Sequence, residues 1–169
     1  MNKAIKIFIS FSVIFTLAFQ TINQFTDFEA KNLKGNNVAT STIQDKIIIV
    51  HAISSKSPTY KEDMMVYKEL QDIYVKAFFD RYAKKGLVVI TLTDMVVDNS
   101  ILPNPDYTIS AKSKIAKNLI KKYNITSNGG NIIINGKREI VHTNVPVDKL
   151  KSTIGSMLTR DRSIINYFE

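Results

Sequence analysis

The clearest pattern in the chain begins at Lys46, where Ile47-Ile48-Ile49-Val50-His51-Ala52-Ile53 is apolar throughout apart from one histidine. A run with no alternation fits a strand buried on both faces of a sheet, and its length marks it as the central strand. Ser54 to Pro58 breaks the pattern. From Thr59 to Lys84, apolar residues recur three or four apart at Met64, Tyr67, Leu70, Tyr74, Phe78 and Tyr82 with charges between them, which predicts an amphipathic helix. Lys85-Gly86 ends it, and Leu87-Val88-Val89-Ile90-Thr91-Leu92 reads as a second buried strand. A strand, a helix and another apolar strand at this spacing predict a right-handed parallel crossover.

Asp94 to Ser110 holds Asp98-Asn99-Ser100 and Pro103-Asn104-Pro105-Asp106, enough breakers to predict a long loop with no element of its own. Helical spacing resumes over Ala111 to Tyr123 through Ile115, Ala116, Leu119, Ile120 and Tyr123, with Lys112, Lys114, Lys117, Lys121 and Lys122 mostly on the other side. Asn131 to Asn135 and Lys137 to His142 flank Asn135-Gly136, a strong hairpin signal. A last helix is expected from about Pro146 to Leu158, with proline in its first turn. Before all of these, Phe25 to Thr40 alternates weakly around Lys34-Gly35-Asn36-Asn37 and reads as a small hairpin or lid that caps the core. The fold class that follows is α/β, a central mixed sheet flanked by helices.

The first residues change the picture of where the chain resides. Lys3 and Lys6 precede an apolar run from Ile7 to Phe19, a secretory signal pattern too short to cross a bilayer comfortably as a helix, which needs roughly 20 residues. Residues 1–20 are therefore expected to be a cleaved signal peptide, with an N-terminal inner-membrane anchor as the alternative because Ala18-Phe19-Gln20 is a poor cleavage site. Residues 21–158 form the domain and 159–169 a tail. The formal charge is +8, and setting aside Lys3 and Lys6 leaves +6. Such a balance suits anionic partners. An exported protein meets phospholipid headgroups, anionic glycans and acidic proteins rather than nucleic acid, although a basic face is most often simply solvated.

There is no cysteine in the chain. Thiolates, mixed disulfides and Cys-ligated metals are excluded, and with them thiol-disulfide oxidoreductase and peroxiredoxin chemistry. The exclusion matters because the element order is a thioredoxin-like one. Phe25-Thr26-Asp27-Phe28, Gly35, Lys46 to Val50, Ser57-Pro58-Thr59-Tyr60 and Asp63 resemble the opening motif of exported thioredoxin-like proteins, with Ser57 and Tyr60 at the cysteine positions. Tyr123-Asn124-Ile125 followed by Gly129 to Ile134 resembles the region that normally supplies a cis-proline, here Gly129 or missing. Within that superfamily the chain is similar to the YtfJ-like group of small periplasmic proteins. The likeness runs through Val50-His51, the Ser54 to Ser57 turn, Lys61, Asp80-Arg81-Tyr82, Thr91 to Asp94, Ser110 to Ser113 and Lys117-Asn118-Leu119. It covers most of residues 25–158 and implies a thioredoxin-like sandwich in the envelope with no established activity.

The candidate binding face comprises His51, Ser57, Tyr60, Gly129 and Gly130. Ser57 with His51 suggests a nucleophile and base, with Asp94 as a third group, but Ser57 sits beyond the strand that buries His51, and no acid is evidently placed to orient the imidazole. The plainer reading makes His51 a hydrogen-bonded core residue and Ser57 a helix cap. Tyr60 near a helix N-terminus could face an anion, yet Ser57, Thr59 and Asp63 can close that terminus themselves. No metal is expected: His51 and His142 are far apart, and Asp94, Asp98 and Asp106 match no calcium loop. Gly129-Gly130 is more simply a flexible turn than a phosphate motif, so no cofactor is expected.

The expectation is thus a non-catalytic binding or scaffold protein of the envelope, whose partner is an envelope protein or an anionic envelope component. The alternatives are cysteine-independent catalysis around His51 and Ser57, or an anchored subunit of an envelope assembly. Membrane contact follows only if the N-terminal segment is uncleaved. The apolar tail Ser163 to Phe168 either adds a strand to this sheet or reaches a partner's sheet.

Overall fold

The computed structural model describes residues 24–79, 86–94, 100–126 and 128–160. The segment expected to be a signal peptide, Asp80-Arg81-Tyr82, Asp98 and the tail from 161 onward lie outside the described residues.

The run from Ile47 forms a strand buried at all seven positions. The strands in chain order are β1 (Glu29–Lys31), β2 (Asn37–Ala39), β3 (Ile47–Ile53), β4 (Leu87–Thr93), β5 (Thr108–Ser110), β6 (Asn128–Ile134) and β7 (Ile140–Thr143), with helices α1 (Tyr60–Phe79), α2 (Lys114–Lys122) and α3 (Val147–Arg160). β1 and β2 pair as an antiparallel hairpin, and the remaining strands form one sheet in the order β5-β4-β3-β6-β7. β3 is central, parallel to β4 and antiparallel to β6. The architecture is the α/β sandwich with a mixed sheet that the hydrophobic pattern predicts.

The pleat sorts the core into two layers. Ile48, Val50, Val88, Ile90, Leu92, Ile132 and Ile134 face Ala116 and Leu119 of α2, with Phe25 and Ile43 closing that side. Ile47, Ile49, Leu87, Val89 and Ile133 face Tyr67 and Leu70 of α1 and Leu150 and Ile154 of α3. Phe28 and Ala30 pack on the α2 layer, so the opening hairpin does cap the core.

Gln71 of α1 solves a local problem on β4. β5 reaches only Thr91 to Thr93, which leaves the first half of β4 without a strand on that side. The Gln71 side chain donates to Leu87 O at 3.0 Å and accepts from Val89 N at 2.7 Å, replacing the missing ladder bonds.

One expectation needs correcting. The stretch before Ser110 is not all loop: Pro105–Tyr107 is a 3-10 turn and Thr108–Ser110 is β5, parallel to β4. Three residues are too few to show a period, and it is the exposed edge of β4 that makes them a strand. The hairpin expected at Asn135-Gly136 is present as the antiparallel pair β6 and β7. Arg138 N donates to Asn135 O, Asn135 N donates to Glu139 O, and Arg138 takes the left-handed conformation at φ 67°, giving a three-residue loop. The Asn135 carboxamide selects it by accepting from both Lys137 N and Glu139 N. The Arg138 side chain then reaches Thr40 O and lies 3.4 Å from Asp27, tying the hairpin to the opening segment.

Candidate functional site

β3 and β4 run parallel while β6 runs against them, so the ends of β3 and β4 and the start of β6 meet at one edge of the sandwich. This edge collects the β3–α1 loop, the first turn of α1, Asp94 and Gly129-Gly130.

The register places a polar row just beneath this edge. His51 pairs with Thr91 on one side and Asn131 on the other, three polar residues abreast in an otherwise aliphatic layer. All three are fully buried. The His51 Nε2 lies 2.8 Å from Thr91 Oγ1, and its ring stacks on Tyr67 with centroids 3.8 Å apart and planes 18° apart. Among the described residues Nδ1 has no hydrogen-bond partner, so the tautomer with its proton on Nε2 leaves no buried N–H stranded. Burial lowers the imidazole pKa from 6.5 to about 3, which keeps the ring neutral.

Tyr67 completes the network. Its hydroxyl accepts from Asn131 Nδ2 at 3.0 Å and donates to Gly129 O at 3.4 Å. Burial pushes the phenol pKa far up, against the smaller opposing effect of the Asn131 bond, so it stays protonated. Asn131 is saturated: Nδ2 also donates to Val145 O at 2.8 Å, and Oδ1 accepts from Val145 N at 3.1 Å.

Above this row the loop groups satisfy one another. Ser57 is buried at 4 % exposure, with its hydroxyl 3.4 Å from that of Thr59. Thr59 donates to Asp63 Oδ2 at 3.0 Å, and Asp63 N donates to Thr59 O. The first turn of α1 therefore carries its own carboxylates, Glu62 and Asp63, where an anion would otherwise sit. Tyr60 is half-buried against Ile53, Met64 and Leu102. Asp94 accepts from Ser54 Oγ and Ser55 N, both at 3.1 Å, and the Ser55 bond is the main reason its pKa is lowered.

On the far side of the edge, Gly129 sits at φ +87°, and a Cβ there would lie 3.2 Å from Asp63 Oδ2. Gly130 is tighter still: a Cβ would come within 2.3 Å of Thr126 N and 2.6 Å of Asn144 Oδ1. The strand start is thus built around two residues with no side chain. No peptide bond among the described residues is cis.

The five sequence candidates do gather at this end, at two depths. Ser57, Tyr60, Gly129 and Gly130 line the edge, although Tyr60 alone is more than marginally accessible, while His51 lies beneath it. His51, Ser57 and Asp94 do not form a catalytic relay, because each bonds to a different neighbour: Thr91, Thr59, and Ser54 with Ser55. The Ser57 hydroxyl turns to Thr59 rather than to a backbone N–H of the helix, while the Ser57 carbonyl accepts from Tyr60 N at 3.3 Å. Tyr67 and Asn131 escaped the sequence reading, though Asn131 interrupts an apolar run as His51 does. No group of His and acidic residues among the described residues could hold a metal.

No protein-family model matches the chain, and no curated protein matches its sequence. Solved structures do match. A thiol:disulfide interchange protein from Bacteroides sp. superposes with a TM-score of 0.61 at 15 % identity, over 82 % of this chain and 90 % of the other. A thioredoxin-family thiol:disulfide interchange protein from Chlorobium tepidum gives 0.53 at 14 % identity, over 73 % and 85 %. The exposed lipoprotein thioredoxin of Streptococcus pneumoniae also gives 0.53 at 14 % identity, over 78 % and 99 %.

The chain has a thioredoxin-like fold. It keeps that fold without any cysteine, so the neighbours' thiol-disulfide exchange has no reacting atom here.

Proposed function

We propose that this chain is an exported, redox-inactive thioredoxin-fold protein, similar to the YtfJ-like envelope proteins, that binds a partner protein at the edge formed by the β3–α1 loop and the start of β6. The observation that carries this reading is the thiol-free edge, where the side chains of Ser54, Ser57, Thr59, Asp63 and Asp94 are engaged with neighbouring groups. Groups held in this way make a rigid surface and a poor catalyst. The carboxylates at the head of α1 disfavour an anionic ligand here and favour a polypeptide laid over Lys56, Pro58, Thr59 and Asn128, which are exposed. Export is supported by the signal-like N-terminus and by a structural neighbour named as an exposed lipoprotein. No helix among the described residues is long and apolar enough to cross a membrane.

The test is crosslinking of the tagged full chain in the envelope fraction, with the N-terminus of the recovered protein sequenced. A defined partner is expected with wild type and is expected to be lost with Lys56→Glu and with Tyr60→Ala. Two variants are needed because Tyr60 also packs on Met64 and Leu102. Recovery of the protein alone, or a partner retained by both folded variants, overturns the reading.

A further inference from the structure

The net positive charge of this protein is concentrated in one stretch. Residues 107–138 contain six lysines, one arginine and no carboxylate. Five of the lysines lie on or beside α2, which among the described residues is the only α-helix on its side of the sheet. Within α2, Lys114, Lys117, Asn118 and Lys121 fall at helical spacing on the face opposite Ala116 and Leu119, and all four are exposed. Among the described residues, Lys114, Lys117 and Lys121 make no ion pair. Of the nearby carboxylates, Asp27 is engaged by Arg138, and Asp94 interacts with Lys112. The other side differs: α1 and α3 intersperse Glu62, Glu69, Asp72 and Asp148 with their lysines, pairing Lys68 with Asp72 and Lys151 with Glu69.

A second observation concerns where the chain enters. Phe25 stacks on Tyr123 just after α2, Thr26 N donates to the Tyr123 hydroxyl, and Lys122 Nζ donates to Thr26 Oγ1. The first described residue, Gln24, is therefore fixed near the C-terminal end of the lysine helix. The apolar stretch Ile7 to Phe19 ends five residues earlier in sequence, within at most about 18 Å of chain.

We infer that the lysine face of α2 docks on a bilayer containing anionic phospholipid, with the N-terminal apolar segment, in the chain that retains it uncleaved, as the second anchoring element. A lone apolar segment holds a membrane weakly when it does not span, whereas an apolar segment joined to a basic patch gives stable attachment. A flat row of unpaired lysines suits a plane of headgroups better than it suits one small anion. This surface is separate from the edge proposed above to bind a protein, and either assignment can fail without the other.

The test is co-sedimentation of the full chain with vesicles of phosphatidylcholine alone and with vesicles containing phosphatidylglycerol. Neutral vesicles report the apolar segment; the gain on adding phosphatidylglycerol reports the lysine face. That gain is expected to fall by about fivefold for each lysine lost, roughly a hundredfold for the triple variant Lys114→Gln/Lys117→Gln/Lys121→Gln, and to vanish at high salt. Circular dichroism of the variant checks that it folds, and single Lys→Gln variants give the graded series if the triple does not. Equal binding to both vesicle types, a gain unchanged in the folded variants, or salt-sensitive binding to heparin or DNA with none to vesicles overturns the inference.

Discussion

His51 and Ser57 are six residues apart, yet they occupy two regions of opposite character. The row Thr91, His51, Asn131 with Tyr67 above it is fully buried, and apart from His51 Nδ1 its polar atoms have partners inside the protein. The loop above it, from Ser54 to Thr59 with Asp94, is also hydrogen-bonded, but most of it is open to water. Removing a partner from the buried row leaves a stranded group that water cannot reach, whereas the same removal in the loop is repaired by solvent. The chemistry-bearing residue types in the row are thus spent on one another, and of these two regions only the loop is open to solvent.

Gly130 lies where the two regions join, and its replacement should have the largest effect. In Gly130→Ala the new Cβ falls 2.3 Å from the Thr126 backbone nitrogen and cannot be absorbed by a side-chain rotation. A loss of about 3 kcal/mol or more in urea denaturation is expected, by overpacking against backbone. A near-neutral Gly130→Ala would show that this edge yields, and the contrast between rigid row and open loop would then fail.

Per pH unit, a smaller effect should appear as the solution is acidified. His51 has its folded pKa lowered to about 3 from 6.5, so between these values the unfolded chain binds a proton that the folded chain does not. Stability is then greatest above pH 6.5 and declines as pH falls towards 3, by up to about 1.4 kcal/mol per pH unit from this group. Urea melts across this window should show the decline in wild type and a shallower one in His51→Gln, which should itself cost about 1–3 kcal/mol at neutral pH. Equal slopes in the two proteins would mean that His51 is not held neutral by burial.

The same contrast explains how far the sequence could be read. Ile47 to Ile53 and Leu87 to Leu92 announce themselves because a strand buried on both faces has no polar alternation to obscure it. β5 does not, because its three residues become a strand only through the edge of β4. The hairpin is legible in Asn135-Gly136, whereas its three-residue loop is set by the Asn135 carboxamide and by the Arg138 contacts to Asp27 and Thr40. At the site, residue type identified His51 and Ser57, but only the register shows His51 between Thr91 and Asn131. Tyr67 was legible as a core position of α1, whereas its bond to Gly129 O depends on how the helix lies across the sheet.

The smallest effect belongs to the loop. Asp94 accepts from Ser54 Oγ and Ser55 N, and these bonds hold its carboxyl below the usual carboxylate range. The side chain is exposed, so water can replace both bonds when they are lost. Asp94→Ala should cost less than about 1 kcal/mol at neutral pH, and Asp94→Asn, which keeps an acceptor for Ser55 N, should cost less still. Because its folded pKa is depressed, what Asp94 contributes is present above its ordinary value of 3.8 and is lost as pH falls through the lowered one, below most of the His51 window. Amide exchange at Ser55 should nevertheless quicken in Asp94→Ala while exchange at Thr91 and Asn131 stays slow. Quickening at all three would mean that the row and the loop are one cooperative unit, with the loop as much a part of the core as the histidine beneath it.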